Sequence, residues 1–291
     1  VASRVGNGGK FVTHVNGATN GRRKLGRIKR IVVKLGSAVI AENGRLRPKV
    51  VADLAHDVTI LAHQGYEVVM VVSGAVAAGF EPLGLGSPPT QVVQRQAAAS
   101  IGQPRLMAMF GAAFARNRLS VAQLLMTADD IEDRRRFLSA RHTIQELLAH
   151  NVIPIINEND ALSDDESKVG DNDHLAALLT SVVSAHLLVL FSRVPGVYRN
   201  GVVGDVISEI EEDSPVDEHI NSSISTTGVG GMSAKVSAAR LASQWGVPTI
   251  IANGREPGLL SKTVAGEPVG TLFVPRENKL TSRKRWIAVR S

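Results

Sequence analysis

The sequence predicts an α/β fold: a three-layer αβα sandwich on a mainly parallel central sheet. Three observations lead there. Apolar runs of strand length recur between residues 28 and 274. Most are continuous rather than alternating, the pattern of strands covered on both faces. Segments of helical period lie between them, and strands that alternate with helices build parallel sheets flanked by helices on either side.

The first strand is IKRIVVKL (28–35). A helix over 48–64 follows, with Val50, Val51, Leu54, Val58 and Leu61 on one face, Pro48 at its start and Gly65 just past its end. Proline near the start and glycine beyond the end are the terminal signals a helix favours. EVVMVV (67–72) and VAQLLM (121–126) read as strands, and residues 136–149 as a helix with Phe137, Leu138, Ile144, Leu147 and Leu148 at helical spacing. VIPII (152–156) and HLLVLF (186–191) are the next strands. Residues 199–225 are polar, acidic and loop-like, suited to a flap or lid. A helix over 231–245 ends at Gly246, and VPTII (247–251) and TLFV (271–274) close the sheet.

The composition restricts function. Apolar residues make up 44% of the 291, enough for a sizeable core. With no cysteine there is no disulfide framework, thiol nucleophile or thiolate metal site, which suits a reducing, cytoplasmic setting. No apolar run approaches the ~20 residues of a membrane helix, so no membrane partner is expected. Nor does the basic N-terminus carry the apolar stretch of a secretory signal. The net charge is +6, but residues 1–33 hold eight Lys and Arg and no acid, so removing those eight leaves −2 for the rest. The basic ends, including Arg283-Lys284-Arg285, are therefore read as solvated extensions rather than a nucleic-acid surface. The expected organisation is a disordered basic tail over 1–27, a folded unit over 28–278 and a second basic tail over 279–291.

In an open α/β sheet, ligands sit at the carboxyl ends of the strands. Residues that follow strands are therefore the candidates. After the first strand come Lys34, Gly36 and Ser37, and after EVVMVV come Ser73 and Gly74. NEND (157–160) follows VIPII, and Asp171-Asn172-Asp173 lie shortly beyond. Ser192 and Arg193 follow HLLVLF. The run Val229-Gly230-Gly231-Met232-Ser233-Ala234-Lys235 opens the helix at 231. Glycines at a helix start let backbone N–H groups approach a phosphate, and a lysine one turn in can reach a terminal phosphoryl group. The run is neither a Walker A loop nor a dinucleotide fingerprint. The acids around 160–173 lack calcium-loop spacing, and no His/Glu set has zinc spacing, so no metal ligands are assigned. His174 reads as a helix-surface residue.

Taken together, VVKLGS (32–37), VVSGAVAAG (71–79), EDRRRFLSAR (132–141), VIPIINENDA (152–161), KVGDNDHLAALL (168–179), GVGGMSAKVSAA (228–239) and GTLF (270–273) resemble the amino-acid-kinase family. The closest likeness is to its branch acting on the side-chain carboxylate of L-glutamate. The resemblance implies phosphoryl transfer from ATP, with Mg²⁺, to give L-glutamyl 5-phosphate in the first step of proline synthesis. It implies that Lys34, Gly36, Ser192, Arg193 and Val229 through Lys235 contact ATP. Ser73, Asp160 and Asn172 would hold glutamate, and Asp173 would position Lys34 and Lys235, the three forming the catalytic set. A cytoplasmic homo-oligomer, dimer or tetramer, with proline as feedback inhibitor comes with the same likeness. Two residues depart from the family pattern. Arg193 stands where an Asp is usual, and Val229 where a Thr is common. A C-terminal domain of PUA type, which many bacterial relatives carry, is expected to be absent.

Overall fold

The computed structural model describes residues 25–42, 45–162, 171–211 and 231–276. Among the described residues the strands are β1 (Arg30–Leu35), β2 (Ala41–Glu42), β3 (Arg45–Leu46), β4 (Glu67–Val72), β5 (Ser120–Met126), β6 (Val152–Glu158), β7 (Leu187–Ser192), β8 (Glu209–Ile210), β9 (Thr249–Asn253) and β10 (Thr271–Phe273). The helices are α1 (Ser37–Ile40), α2 (Pro48–His63), α3 (Ala75–Gly79), α4 (Val92–Ala115), α5 (Ala128–Glu132), α6 (Arg134–Ala149), α7 (Asp171–Val182), α8 (Gly231–Gln244) and α9 (Leu259–Val264).

Eight strands form one sheet in the order β5-β6-β4-β1-β7-β9-β10-β8, and β2 with β3 forms a separate hairpin. Pairing is parallel throughout the large sheet except where β10 runs against β9. All seven strands expected from the sequence are present. β1 lies at the centre, between β4 and β7, where chain connections diverge to either side. That position is a topological switch point, where α/β sheets open a crevice at their carboxyl edge.

Side chains alternate across a strand, so β1 feeds both layers. Ile31, Val33 and Leu35 enter the core shared with α2, α4 and α9. Val32 enters the opposite core, built from α6, α7 and α8. All four are fully buried, each at a gain of ~1.5–3 kcal/mol. β5 is the exception to strands covered on both faces. It is the edge strand, and Ser120, Gln123 and Leu125 are exposed. Residues 199–211, expected to be loop, contain a short 3₁₀ turn (Arg199–Gly201) and β8 at the opposite edge. The remainder of the expected flap and the tails, apart from residues 25–27 of the first, lie outside the described residues.

α4 was not expected. Gly102, Pro104 and Gly111 interrupt its apolar pattern, and Pro104 sits inside the helix. Its glycines are explained by what they touch. A Cβ on Gly102 would stand 1.8 Å from the carbonyl oxygen of Ala75, and one on Gly79 would stand 1.8 Å from that of Ala98. Thus α3 and α4 cross backbone to backbone. Since α3 starts directly after Ser73-Gly74, the crossing also fixes the carboxyl end of β4. At the amino ends of the strands, Arg30 Nε donates to Glu67 at 2.6 Å and Lys29 pairs with Glu67 at 3.1 Å. That end is closed by ion pairs, and the opposite end is left for chemistry.

Gly102→Ala should destabilise the protein by about 3 kcal/mol, because the obstruction is backbone and cannot move aside. Gly111→Ala lies in the same helix, with the nearest obstacle a Val121 methyl at 4.0 Å. It should be neutral or stabilising by up to ~1 kcal/mol. Urea unfolding of both variants checks this, and equal effects would contradict the crossing.

Candidate active site

Lys34 is the penultimate residue of β1, aligned with Val71 of β4 and Leu190 of β7. It shares the face of Val32 and so points toward the α7/α8 layer. It is 4% exposed. An ammonium so buried needs an anion, and Asp173, in the first turn of α7, provides it: Lys34 Nζ lies 2.7 Å from Asp173 Oδ1. Lys235, in α8, donates to the other oxygen, Oδ2, also at 2.7 Å. Asp173 and Lys235 are likewise buried, at 2% and 8%.

One carboxylate thus holds two ammonium groups, and the trio carries a net charge of +1. Two helix N-termini, those of α7 and α8, converge on it and add partial positive charge. Burial lowers the Lys34 pKa from 10.5 to about 8; the Asp173 charge works against that shift and the Lys235 charge adds to it. The cluster therefore favours a further anion, and a phosphoryl group fits that requirement. Gly36 borders the same space: a Cβ there would lie 3.6 Å from Lys34 Nζ.

A second group of side chains surrounds the ends of β4 and β6. Ser73 N donates to Leu35 O at 3.0 Å, extending the β1–β4 ladder by one residue. Gly74 follows with φ 113°, a left-handed conformation that glycine adopts without strain. Asn172, 7% exposed, donates through Nδ2 to Asn157 Oδ1 at 3.2 Å, and its Oδ1 accepts from Glu158 N at 3.2 Å. Asp160 lies in the turn after β6, half-buried. Desolvation raises its pKa from 3.8 to about 6, and the positive charge of Arg95 limits the rise. A carboxyl group in that state is receptive to a cation.

The structure thus brings Lys34, Gly36, Asp173 and Lys235 together, and sets Ser73, Asn172 and Asp160 around neighbouring strand ends. Gly231, Met232, Ser233 and Ala234 form the opening turn of α8. Ser192 ends β7, its Oγ accepting from Val194 N at 3.4 Å, and Arg193 beside it is exposed. Val229 and Gly230 lie outside the described residues. His174 is on α7 and exposed, as expected.

The sequence profile of the amino acid kinase family matches residues 29–253. The chain belongs to the amino acid kinase family. Among its kinase relatives, the glutamate 5-kinase of Geobacter metallireducens is 45% identical over 277 residues, covering 91% of this chain and 72% of that protein. The glutamate 5-kinase of Syntrophotalea carbinolica is also 45% identical, over 272 residues, with the same shares covered. Solved structures show the same fold at low identity. A Giardia carbamate kinase superposes with a TM-score of 0.61 at 17% identity, over 85% of this chain and 99% of that one. The UMP kinase of Bacillus anthracis gives 0.55 at 17%, over 85% and 96%.

Two members of the polar network have no role assigned from the sequence. Asn157 falls inside NEND without a role, and Gln103 sits in the unassigned α4. Asn157 Nδ2 donates to Gln103 Oε1 at 2.7 Å. The tandem Asn-Glu-Asn-Asp at a buried strand end was the available sign for Asn157; Gln103 had none.

Asp173→Ala should cost about 3–5 kcal/mol, since it strands two buried ammonium groups. The deficit should also depend on pH. A lysine whose folded pKa lies below 10.5 binds fewer protons when folded, so its penalty is full at low pH and lifts as pH rises through that window. Without Asp173 the window opens lower than about 8. The deficit should therefore be smaller at about pH 8.5 than at about pH 6. Chemical denaturation at both values tests this, and a pH-independent deficit would contradict it.

Proposed function

We propose that this chain transfers the γ-phosphoryl group of ATP, bound as its magnesium complex, to the side-chain carboxylate of L-glutamate. The product is L-glutamyl 5-phosphate, and the reaction is the first step of proline biosynthesis. The observation that carries the reading is the buried Lys34–Asp173–Lys235 cluster, with net positive charge, at the carboxyl edge of the sheet. The 45% identity to proteins named glutamate 5-kinase supports the choice of acceptor.

The chemistry needs little more than charge and alignment. The nucleophile is a carboxylate, already ionised at neutral pH, so no general base is required. In phosphoryl transfer, charge spreads over the equatorial oxygens, and catalysis rests on positioning and electrostatic stabilisation. Lys34 from β1 and Lys235 from α8 supply two cations, and Asp173 holds them at a fixed separation. Because all three are buried, their charges act in a low dielectric and need little reorganisation during the step. The first turn of α8, from Gly231 to Ala234, offers backbone N–H groups to the nucleotide phosphates, and Gly36 leaves room for them beside Lys34. Ser192 and Arg193 border the nucleotide. Ser73, Asn172 and Asp160 hold the amino acid, with Asp160 facing its ammonium.

The test is a glutamate-dependent ADP assay with hydroxylamine trapping of the acyl phosphate. ADP should form only with glutamate and magnesium, and Lys235→Ala should lower kcat by roughly 10²-fold or more. ATP consumption equal with and without glutamate would overturn the assignment.

Asp160 should show opposed effects on binding and stability. Its folded pKa is raised to about 6 from 3.8, so its ionised form costs stability in full above about pH 6 and costs nothing below 3.8. Asp160→Asn should accordingly stabilise the protein by roughly 1–3 kcal/mol near neutral pH. The same change should raise the KM for glutamate about tenfold or more. A variant that gains no stability, or binds glutamate normally, would contradict this placement.

A further inference from the structure

The polar network behind Asn172 has a direction. Its origin is the backbone N–H of Glu158, which can only donate. It donates to Asn157 Oδ1 at 2.9 Å and to Asn172 Oδ1 at 3.2 Å. An amide side chain has a donor end and an acceptor end of nearly the same shape, so its orientation is set by its partners alone. With Oδ1 toward Glu158, Asn157 must turn Nδ2 outward, and that group donates to Gln103 Oε1 at 2.7 Å. Asn157 Oδ1 also accepts from Asn172 Nδ2. The chain Gln103–Asn157–Asn172 therefore joins α4 in one helical layer to α7 in the other, across the end of β6.

The cost of this arrangement falls on Gln103. Its Nε2 is buried and has no hydrogen-bond partner among the described residues. Such an orphan donor is unfavourable and calls for a reason. A glutamine serving stability alone would gain by exposing that group.

We propose that Gln103 is a positioning residue for the acceptor amino acid. Through Asn157 it holds the Asn172 amide in one place and one orientation, so that Asn172 presents a fixed pair of polar atoms to the substrate. This rests on the reading of Asn172 as a glutamate-binding residue. Without the Gln103 oxygen, Asn157 Nδ2 has no acceptor there. Asn157 then swings to find one, and Asn172 loses one of its two anchors. Among the described residues, the hydrogen bonds given for Gln103, Asn157 and Asn172 do not include Lys34, Asp173 or Lys235, although Asn172 adjoins Asp173; the larger effect is therefore expected on the amino-acid side.

The experiment compares wild-type protein with Gln103→Met, which cannot supply the oxygen acceptor, and Gln103→Glu, which can. Gln103→Met should raise the KM for glutamate about tenfold, with the KM for ATP within about twofold. Its melting temperature should stay near the wild-type value, because removing the orphan N–H offsets the lost bond. Gln103→Glu should restore the KM for glutamate to within about threefold of wild type. The proposal is overturned by a normal KM for glutamate in Gln103→Met, by parallel rises in both KM values, or by equal impairment of the two variants. Should Gln103→Met not fold, Gln103→Ser, too short to reach Asn157, replaces it with the same expected readout. Wild-type protein without glutamate-dependent turnover would overturn the functional reading itself, and this proposal with it.

Discussion

A single buried carboxylate holds the carboxyl edge of this sheet together. Asp173 accepts Lys34 from the central strand and Lys235 from the start of α8. Two ammonium groups at that depth repel each other and have lost most of their water. Burial presses Lys34 toward neutrality, lowering its pKa to about 8 even with the Asp173 charge opposing the shift. Asp173 offsets one of the two positive charges and leaves the cluster net positive. Under the proposed function, the remaining positive charge is what an incoming polyphosphate would meet. The same atoms would then set both stability and affinity for anions, and neither could be tuned alone.

The two layers of helices contribute differently. The layer of α7 and α8 supplies Asp173 and Lys235, which meet Lys34 of β1, and the helix N-termini reinforce the positive charge. The layer of α2, α4 and α9 supplies shape. Within it, the backbone contact of α3 with α4 sets the end of β4, and Gln103, next to the contact glycine, reaches back across β6. Asp57 of α2 accepts from the backbone N–H groups of Leu260 and Ser261 and so caps α9 within the same layer. On the proposed function, rigidity in this layer fixes where the groups that would hold the acceptor stand relative to the cations. In a reaction without a general base, that alignment is a large part of catalysis.

Much of this was legible in the sequence, for physical reasons. Buried strands are continuous apolar runs, and all seven expected strands were found, although β5 is a half-covered edge and β10 runs antiparallel to β9. Lys34 was conspicuous because a lysine seldom ends such a run, and the glycines before Lys235 because glycine admits a ligand to the backbone. What failed to show was α4, where Gly102 reflects a helix crossing rather than a turn and Pro104 sits inside the helix. Local pattern cannot distinguish a glycine required by its own φ from one required by a neighbour's proximity. β5 misled in the opposite sense: its apolar run occupies a half-covered edge. Gln103 was invisible for a related reason, since its meaning lies in a partner far along the chain. The pairing of Lys34 and Lys235 through Asp173 became visible only in three dimensions; in the sequence it rested on likeness to known kinases.

The contact between α3 and α4 has a genetic consequence. The atoms that forbid a side chain at Gly79 or Gly102 belong to the facing main chain, including Ala98 O and Ala75 O. A clash between two side chains can be relieved by trimming the partner, and lineages drift through such paired exchanges. A clash with a carbonyl offers nothing to trim. Neither glycine should therefore have a suppressor at the facing position, and any rescue must come from stabilising the protein elsewhere.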